Sequence, residues 1–297
     1  MYHKKKKIAI LESIEFNQRQ INQMKKVIYL SGMPRSLTTL CANILSNNPN
    51  IGGGETSVLL EYLYASRANY NQSPEVKSAL SEEVMHESFL NFCRYGIDGY
   101  AKKINPKNIY LDKSRGWVHY APFLWEINPD AKIIVMVRDI RGALSSLEKK
   151  WRDNPSFLDH RDNPAKQQFI TIDQRVNSFL ADAPLGLSLQ RLFNAVQTKT
   201  IKNMLVIRAE ELAKKPKETM QKVYEFIGEP YFEMDYSNVQ QMTIENDRVA
   251  DYSVYGDHKI KPNIEPLKKD YDEILGTHIC SNVKANYKWF YDAFDYF

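Results

Sequence analysis

Four cations, Arg35, Lys113, Arg138 and Arg208, each stand at or just beyond the end of a short apolar run. Runs of this kind, separated by helical patterns, read as strands of a parallel sheet. Ligands of such sheets sit beyond the carboxyl ends of the strands, so four cations gathered there make an anion pocket. The first belongs to Gly32-Met33-Pro34-Arg35-Ser36-Leu37-Thr38-Thr39-Leu40, set between a strand and a helix. A turn entering a helix points backbone N–H groups and the positive end of the helix dipole outward. Arg35, Ser36, Thr38 and Thr39 add side-chain donors. The Gly-x-x-x-x-Gly-Lys-Ser/Thr pattern of nucleoside triphosphate loops is absent. A second cluster follows the run 132–137, where Arg138 can take a phosphate through two parallel hydrogen bonds. Ser146, eight residues on, lies about two helical turns into the next helix and can donate from the same side.

The elements that must hold these residues follow from apolar periodicity. Strands are expected at 27–30, 109–111, 132–137 and 204–207. Helices are expected at 38–46, 57–68, 75–101, 117–127, 141–151, 172–200 with a break at 184–186, 217–227 and 281–294. Pro155, Pro164 and their polar neighbours mark 153–166 as a loop, and 230–265 has no regular pattern. Tyr287, Phe290, Tyr291 and Phe294 recur at helical spacing and read as core. The alternation predicts an α/β fold: a P-loop-like central parallel sheet flanked by helices on both faces. Residues 1–25 read as an N-terminal appendage and 26–297 as a single α/β domain.

Composition narrows the function. The chain has 297 residues, 43% hydrophobic and 26% charged, and a formal net charge of +4 from 40 basic and 36 acidic residues. That balance argues against a nucleic-acid binder and suits one local anion site. No run approaches the roughly 18–20 apolar residues of a membrane span. Lys4 to Lys7 read as a solvated basic tail, because Glu12 and Glu15 cut short the apolar stretch a signal peptide needs. Cys41, Cys93 and Cys280 are widely spaced, form no metal-ligand spacing and suggest a reducing, cytoplasmic setting.

The loop 32–40, with its strand and helix, resembles the 5′-phosphosulfate loop of sulfotransferases, whose pattern is Pro-Lys/Arg-Ser-Gly-Thr-Thr. Arg138 and Ser146 resemble that family's 3′-phosphate signature. Leu111-Asp112-Lys113-Ser114 and Val206-Ile207-Arg208-Ala209-Glu210-Glu211-Leu212 are similar to its second- and fourth-strand segments. Lys259-Ile260-Lys261-Pro262 is similar to the late loop that closes over the nucleotide. The arrangement most resembles the protein-tyrosine sulfotransferase and related bacterial branch. Three positions depart from the pattern. Leu37 replaces the loop glycine: it is strained if the position needs φ > 0 and harmless as the first helical residue, which is the reading preferred. Ala209 stands in place of Tyr. Lys113-Ser114-Arg115 lacks the histidine of the small-phenol branch.

The resemblance implies 3′-phosphoadenosine 5′-phosphosulfate as donor, the 3′,5′-bisphosphate as product, and no metal. Arg35 and Lys113 then face the leaving phosphate, with Ser36, Leu37, Thr38 and Thr39 at the 5′-phosphate. Arg138 and Ser146 hold the 3′-phosphate, with Arg208 in the same pocket and Lys261 above it. Glu55, after Gly52-Gly53-Gly54, aligns with the glutamate that follows the loop helix in the tyrosine-sulfating branch and is the expected base; the glycines let backbone lie close to a ligand. His119 is its rival, although beside Trp117 and Phe123 it reads as a packed core histidine. Peptide tyrosine, a sugar hydroxyl, a lipid headgroup and a small phenol all remain as acceptors. A P-loop phosphotransferase and a non-catalytic nucleotide-binding protein of the same fold are the competing readings.

Overall fold

The structure, a computed structural model, describes residues 24–79, 81–153, 171–247 and 258–296. Most of the expected appendage 1–25 and of the loop 153–166 lies outside the described residues. Five strands form one sheet: β1 (Lys26–Gly32), β2 (Ile51–Thr56), β3 (Ile109–Lys113), β4 (Lys132–Val137) and β5 (Leu205–Arg208). They lie in the order β2-β3-β1-β4-β5, and every pairing is parallel. The chain builds β2 and β3 on one side of β1 before crossing to β4 on the other. The switch point therefore falls at the carboxyl end of β1.

Helices connect the strands. They are α1 (Thr38–Ser46), α2 (Leu59–Gln72), α3 (Pro74–Ala79), α4 (Glu82–Ile104), α5 (Trp117–Ile127) and α6 (Ile140–Asp153). From residue 171 onward come α7 (Ile172–Ala181), α8 (Leu185–Gln197), a 3₁₀ turn at Thr200–Asn203, α9 (Ala209–Lys214) and α10 (Pro216–Ile227). The chain closes with α11 (Tyr271–Leu275), α12 (Thr277–Asn286) and α13 (Lys288–Ala293). Gly228 ends α10 in the left-handed region, as expected of a helix-terminating glycine.

Two apolar layers hold the sheet, because neighbouring strand residues face opposite sides. Val27, Tyr29, Ile133, Val135 and Val137 pack with the large helical layer containing α5, α6, α8 and α12. Ile28, Leu30, Ile134 and Met136 pack with α1 and α10. Each such buried aliphatic side chain contributes about 1.5–3 kcal/mol relative to exposure. Phe290, Tyr291 and Phe294 are buried in the first layer, as their spacing predicts. Cys41, Cys93 and Cys280 are buried free thiols. Among the described residues no helix is long and apolar enough to cross a membrane.

Several elements differ from the sequence reading: the expected helix 75–101 is split into α3 and α4, and α9 and α11 were not expected. The expected helix 281–294 is two short helices that meet at Tyr287. Strand β2 was not expected, because its core is Gly52-Gly53-Gly54 and glycine lowers strand propensity. The close approach these glycines allow is to protein. A Cβ on Gly53, whose φ is +94°, would stand 2.6 Å from the Tyr110 ring and 2.7 Å from the Leu111 carbonyl.

Asp112, on β3 beside the central strand β1, is fully buried, with its Oδ1 accepting a 2.7 Å hydrogen bond from Trp117 Nε1. Burial raises its carboxyl to about 6, against the pull of the Ser57, Trp117 and Tyr110 side chains. The folded pKa exceeds the unfolded one, so the charged form penalises the fold. That penalty is absent below about pH 4, grows through about pH 6 and is complete above it. Asp112→Asn keeps an acceptor for Trp117 and removes the charge. It is expected to stabilise the protein by roughly 2–3 kcal/mol at about pH 8 and by little at about pH 4, as read from urea melts.

Candidate active site

The loop after β1 begins where two strands nearly touch. A Cβ on Gly32 would lie 2.6 Å from the Met136 carbonyl oxygen and 2.8 Å from the Met136 Cβ, so only glycine fits. Met33 N then donates to that same carbonyl at 3.0 Å. Arg35 and Leu37 both take left-handed backbone, with φ of 64° and 62°. The reading of Leu37 as a first helical residue is therefore corrected. It is the N-cap of α1 in a conformation that costs a β-carbon-bearing residue about 1–2 kcal/mol. No side chain caps α1, whose first internal bond is Cys41 N to Leu37 O at 2.9 Å. Amides at an uncapped helix start point toward whatever anion sits there. Half-buried Thr38 and Thr39 stand in that first turn.

Ser36 does not add a free donor. Its hydroxyl is buried, donates to the Met33 carbonyl at 2.6 Å and lies 3.1 Å from Thr38 Oγ1, so it shapes the turn. Arg35 reaches sideways, with Nε donating to Ser146 Oγ at 2.9 Å. Arg138 reaches back, with Nη1 donating to the Arg35 carbonyl at 2.9 Å. The loop cation and the two residues of the second cluster thus form one constellation across β1 and β4. Arg138 Nε is buried with no hydrogen-bond partner and lies across Gly142 of α6. Burial lowers the Arg138 pKa, and the neighbouring Glu210 charge opposes that.

The residues after Arg138 anchor the strand end. Asp139 Oδ1 accepts from Arg141 N at 2.9 Å, from Arg141 Nε at 3.0 Å and from the Tyr291 hydroxyl at 3.1 Å. Asp139 N donates to Glu210, which also accepts from the Tyr296 hydroxyl. The Arg141 guanidinium lies over the Tyr271 ring, 4.3 Å from its centroid. Helices α11 and α13 are thereby tied to the end of β4.

On the other side of β1, the β2–β3 register shifts between Gly53 and Thr56, and Thr56 pairs with Lys113. That irregularity brings half-buried Glu55 near enough to Lys113 to favour its charge. Lys113 Nζ makes a 2.5 Å ion pair with Glu245, the two side chains being 8% and 10% exposed. Glu245 rides on segment 239–247, which crosses α1. Buried Asn43 of α1 accepts from Met242 N at 2.5 Å and Thr243 N at 3.0 Å, and its amide donates to Thr243 Oγ1 at 3.0 Å. Ile244 N donates to Glu55 Oε1 at 3.4 Å. Sequence reasoning left this segment irregular and missed Glu245, Asn43 and Asp139. Asn43 carried the one legible signal, a polar residue on the apolar stripe of α1 beside Leu40 and Ile44.

Three expected residues sit differently. Arg208, expected beside Arg138, directs its donors to Glu211 and the Asp295 carbonyl. Lys261 is 81% exposed and pairs with Glu265 at 3.3 Å. His119, read as a core histidine, is exposed on α5 with its ring edge-on to Tyr120. Among the described residues no group of three or more His, Cys, Asp or Glu could hold a metal ion. An open hollow of about 610 Å³ between α7, α8 and the start of α13 and one of about 500 Å³ between α2 and α4 lie apart from these residues.

Asn43→Ala removes the partner of three strap groups at once. Unsatisfied buried donors cost about 1–3 kcal/mol each, so a stability loss of roughly 2–4 kcal/mol is expected. Amide exchange at Met242 and Thr243 should accelerate selectively, measured by hydrogen–deuterium exchange.

Residues 28–233 match the model of the sulfotransferase family. A protein-tyrosine sulfotransferase of Drosophila melanogaster is 28% identical over 138 residues, 44% of this chain and 27% of that protein. A putative protein-tyrosine sulfotransferase of Caenorhabditis briggsae is 23% identical over 212 residues, 71% of this chain and 68% of that protein. The match to a zebrafish protein-tyrosine sulfotransferase spans 36% of that protein, so the fly and zebrafish matches cover well under two thirds of those proteins' length. A sulfotransferase structure from Mycobacterium avium aligns over 96% of this chain and 81% of its own, at 14% identity and a TM-score of 0.47. With the family model matched over more than half its length, the chain belongs to the sulfotransferase family.

Proposed function

We propose that this protein transfers sulfonate from 3′-phosphoadenosine 5′-phosphosulfate to an acceptor hydroxyl or amine, with Glu55 as the proton acceptor. The observation that carries the reading is the Arg35, Ser146 and Arg138 constellation beside the uncapped start of α1. A buried guanidinium nitrogen without a partner, an uncapped helix and a strained loop suit a ligand with two separate anionic groups. When bound, the donor supplies a sulfonate carried on a phosphate leaving group.

The chain's own residues divide the work. The first amides of α1, with Thr38 and Thr39, hold the 5′-phosphate. Arg138 and Ser146 hold the 3′-phosphate through charge-assisted hydrogen bonds. Arg35 and Lys113 offset the charge that builds on the leaving oxygen. Glu55, beside Lys113 at the β2 irregularity, takes the acceptor's proton.

Adenosine 3′,5′-bisphosphate is expected to raise the melting temperature far more than AMP or ATP does. A hundredfold excess over Kd adds about 2.7 kcal/mol to the native state. Equal shifts with ATP would refute the donor assignment and favour a phosphotransferase. Glu55→Gln should lower turnover with any accepted acceptor by about 10²–10⁴-fold, with bisphosphate affinity and melting temperature nearly unchanged. Full activity in that variant would remove Glu55 as the base.

A further inference from the structure

Lys113 is the most deeply buried of the site's lysines, and its ammonium has three donors. One is taken at 2.5 Å by Glu245 Oε1. Glu245 is itself held from behind. Its Oε2 lies 3.5 Å from His258 Nδ1, and the same nitrogen lies 2.5 Å from Asp247 Oδ1. His258 N also donates to Asp247 Oδ2 at 2.9 Å. The strap that bears Glu245 is fixed by three separate elements: Asn43 of α1, Glu55 of β2 and Lys113 of β3. A carboxylate delivered this firmly to a buried ammonium is part of the site.

We propose that Glu245 is a positioning residue for the transfer: its ion pair keeps Lys113 an aimed ammonium, and the strap 239–247, pinned by Asn43, delivers it. The inference rests on the reading that Lys113 contacts the donor. A neutral amine at this position could offer no charge to a leaving oxygen. Burial alone drives Lys113 toward that neutral form by lowering its pKa, and Glu245 is the strongest opposing influence. Arg115 adds to the lowering, and Glu55 opposes it weakly. One donor on Glu245 leaves two for the anion, so the carboxylate and the donor can share the same lysine. The opposite arrangement, in which Glu245 competes with the donor for Lys113, predicts the reverse effect of removing it.

The experiment uses the full chain and four variants: Glu245→Gln, Glu245→Asp, Lys113→Arg, and Glu245→Gln combined with Lys113→Arg. The first readout needs no ligand. In protein carrying 13C-labelled lysine, the Lys113 Cε signal is assigned by its loss in Lys113→Arg and titrated by NMR. The midpoint is expected to fall in Glu245→Gln and to return toward the wild-type value in Glu245→Asp. The second readout is adenosine 3′,5′-bisphosphate affinity against pH by calorimetry. Affinity in Glu245→Gln should fall about tenfold between about pH 7 and about pH 9, while the wild type changes less than about threefold. The double variant should lose that fall, since arginine keeps its proton throughout. An unchanged Lys113 midpoint in Glu245→Gln overturns the proposal. Tighter bisphosphate binding in that variant at every pH also overturns it, and makes Glu245 a competitor. Absence of bisphosphate binding by the wild type refutes the donor reading, and the titration still decides whether Glu245 keeps Lys113 charged.

Discussion

Where Gly32 meets Met136, β1 and β4 approach more closely than any side chain would allow. The rest of the site depends on that contact. It ends β1 at the point where the chain must turn, and it fixes the loop 33–37 against the end of β4. Arg138 can then bond the Arg35 carbonyl, and Arg35 can reach Ser146 on α6. Three residues far apart in the chain become neighbours because two parallel strands share a register, Gly32 opposite Met136. The left-handed backbone at Arg35 and Leu37 is strain that this framework holds in place.

Around that contact the molecule gathers charge in pairs. Asp139, Arg141, Glu210, Tyr291 and Tyr296 form a hydrogen-bonded group that docks the C-terminal helices onto the end of β4. A second buried pair, Glu148 with Arg175, ties α6 to α7, with the Arg175 guanidinium 3.5 Å from the Trp151 ring centroid. Breaking such a pair by removing one partner leaves an uncompensated buried charge, which costs about 3–5 kcal/mol. The first group holds the residue next to Arg138 and the second braces α6, while the buried Arg138 Nε keeps no protein partner.

The opposite flank is built differently. Strand β2 is an edge strand made largely of glycine, and its register slips beside Lys113. A slip in an edge strand re-aims one side chain without disturbing the core. Here the re-aimed residue is Glu55. Segment 239–247 then covers this edge with Asn43, Glu55 and Lys113 as its attachment points. The glycine run thus serves packing against Tyr110 and Asn105 first, and the placing of Glu55 follows from it.

The sequence by itself determined strands β1, β3, β4 and β5, most helices, the parallel α/β class and the cations Arg35, Lys113 and Arg138. These are carried by local patterns: a short apolar run fixes a buried strand, and the residue that ends the run stands at the strand's carboxyl end. Leu40, Ile44 and Leu45 likewise reveal α1 through the 3.6-residue repeat. Tertiary structure decided what local pattern does not encode. Strand β2 exists because β3 supplies its hydrogen bonds, not because glycine favours extension. Leu37 is left-handed because the loop must close onto α1, and Ser36 turns inward for the same reason. Arg208 engages Glu211 and the chain's end, a choice set by where α13 packs. Glu245 reaches Lys113 across 132 residues of sequence. A buried ion pair between distant residues leaves no periodic trace, because only the folded path of the chain brings its two charges out of water together.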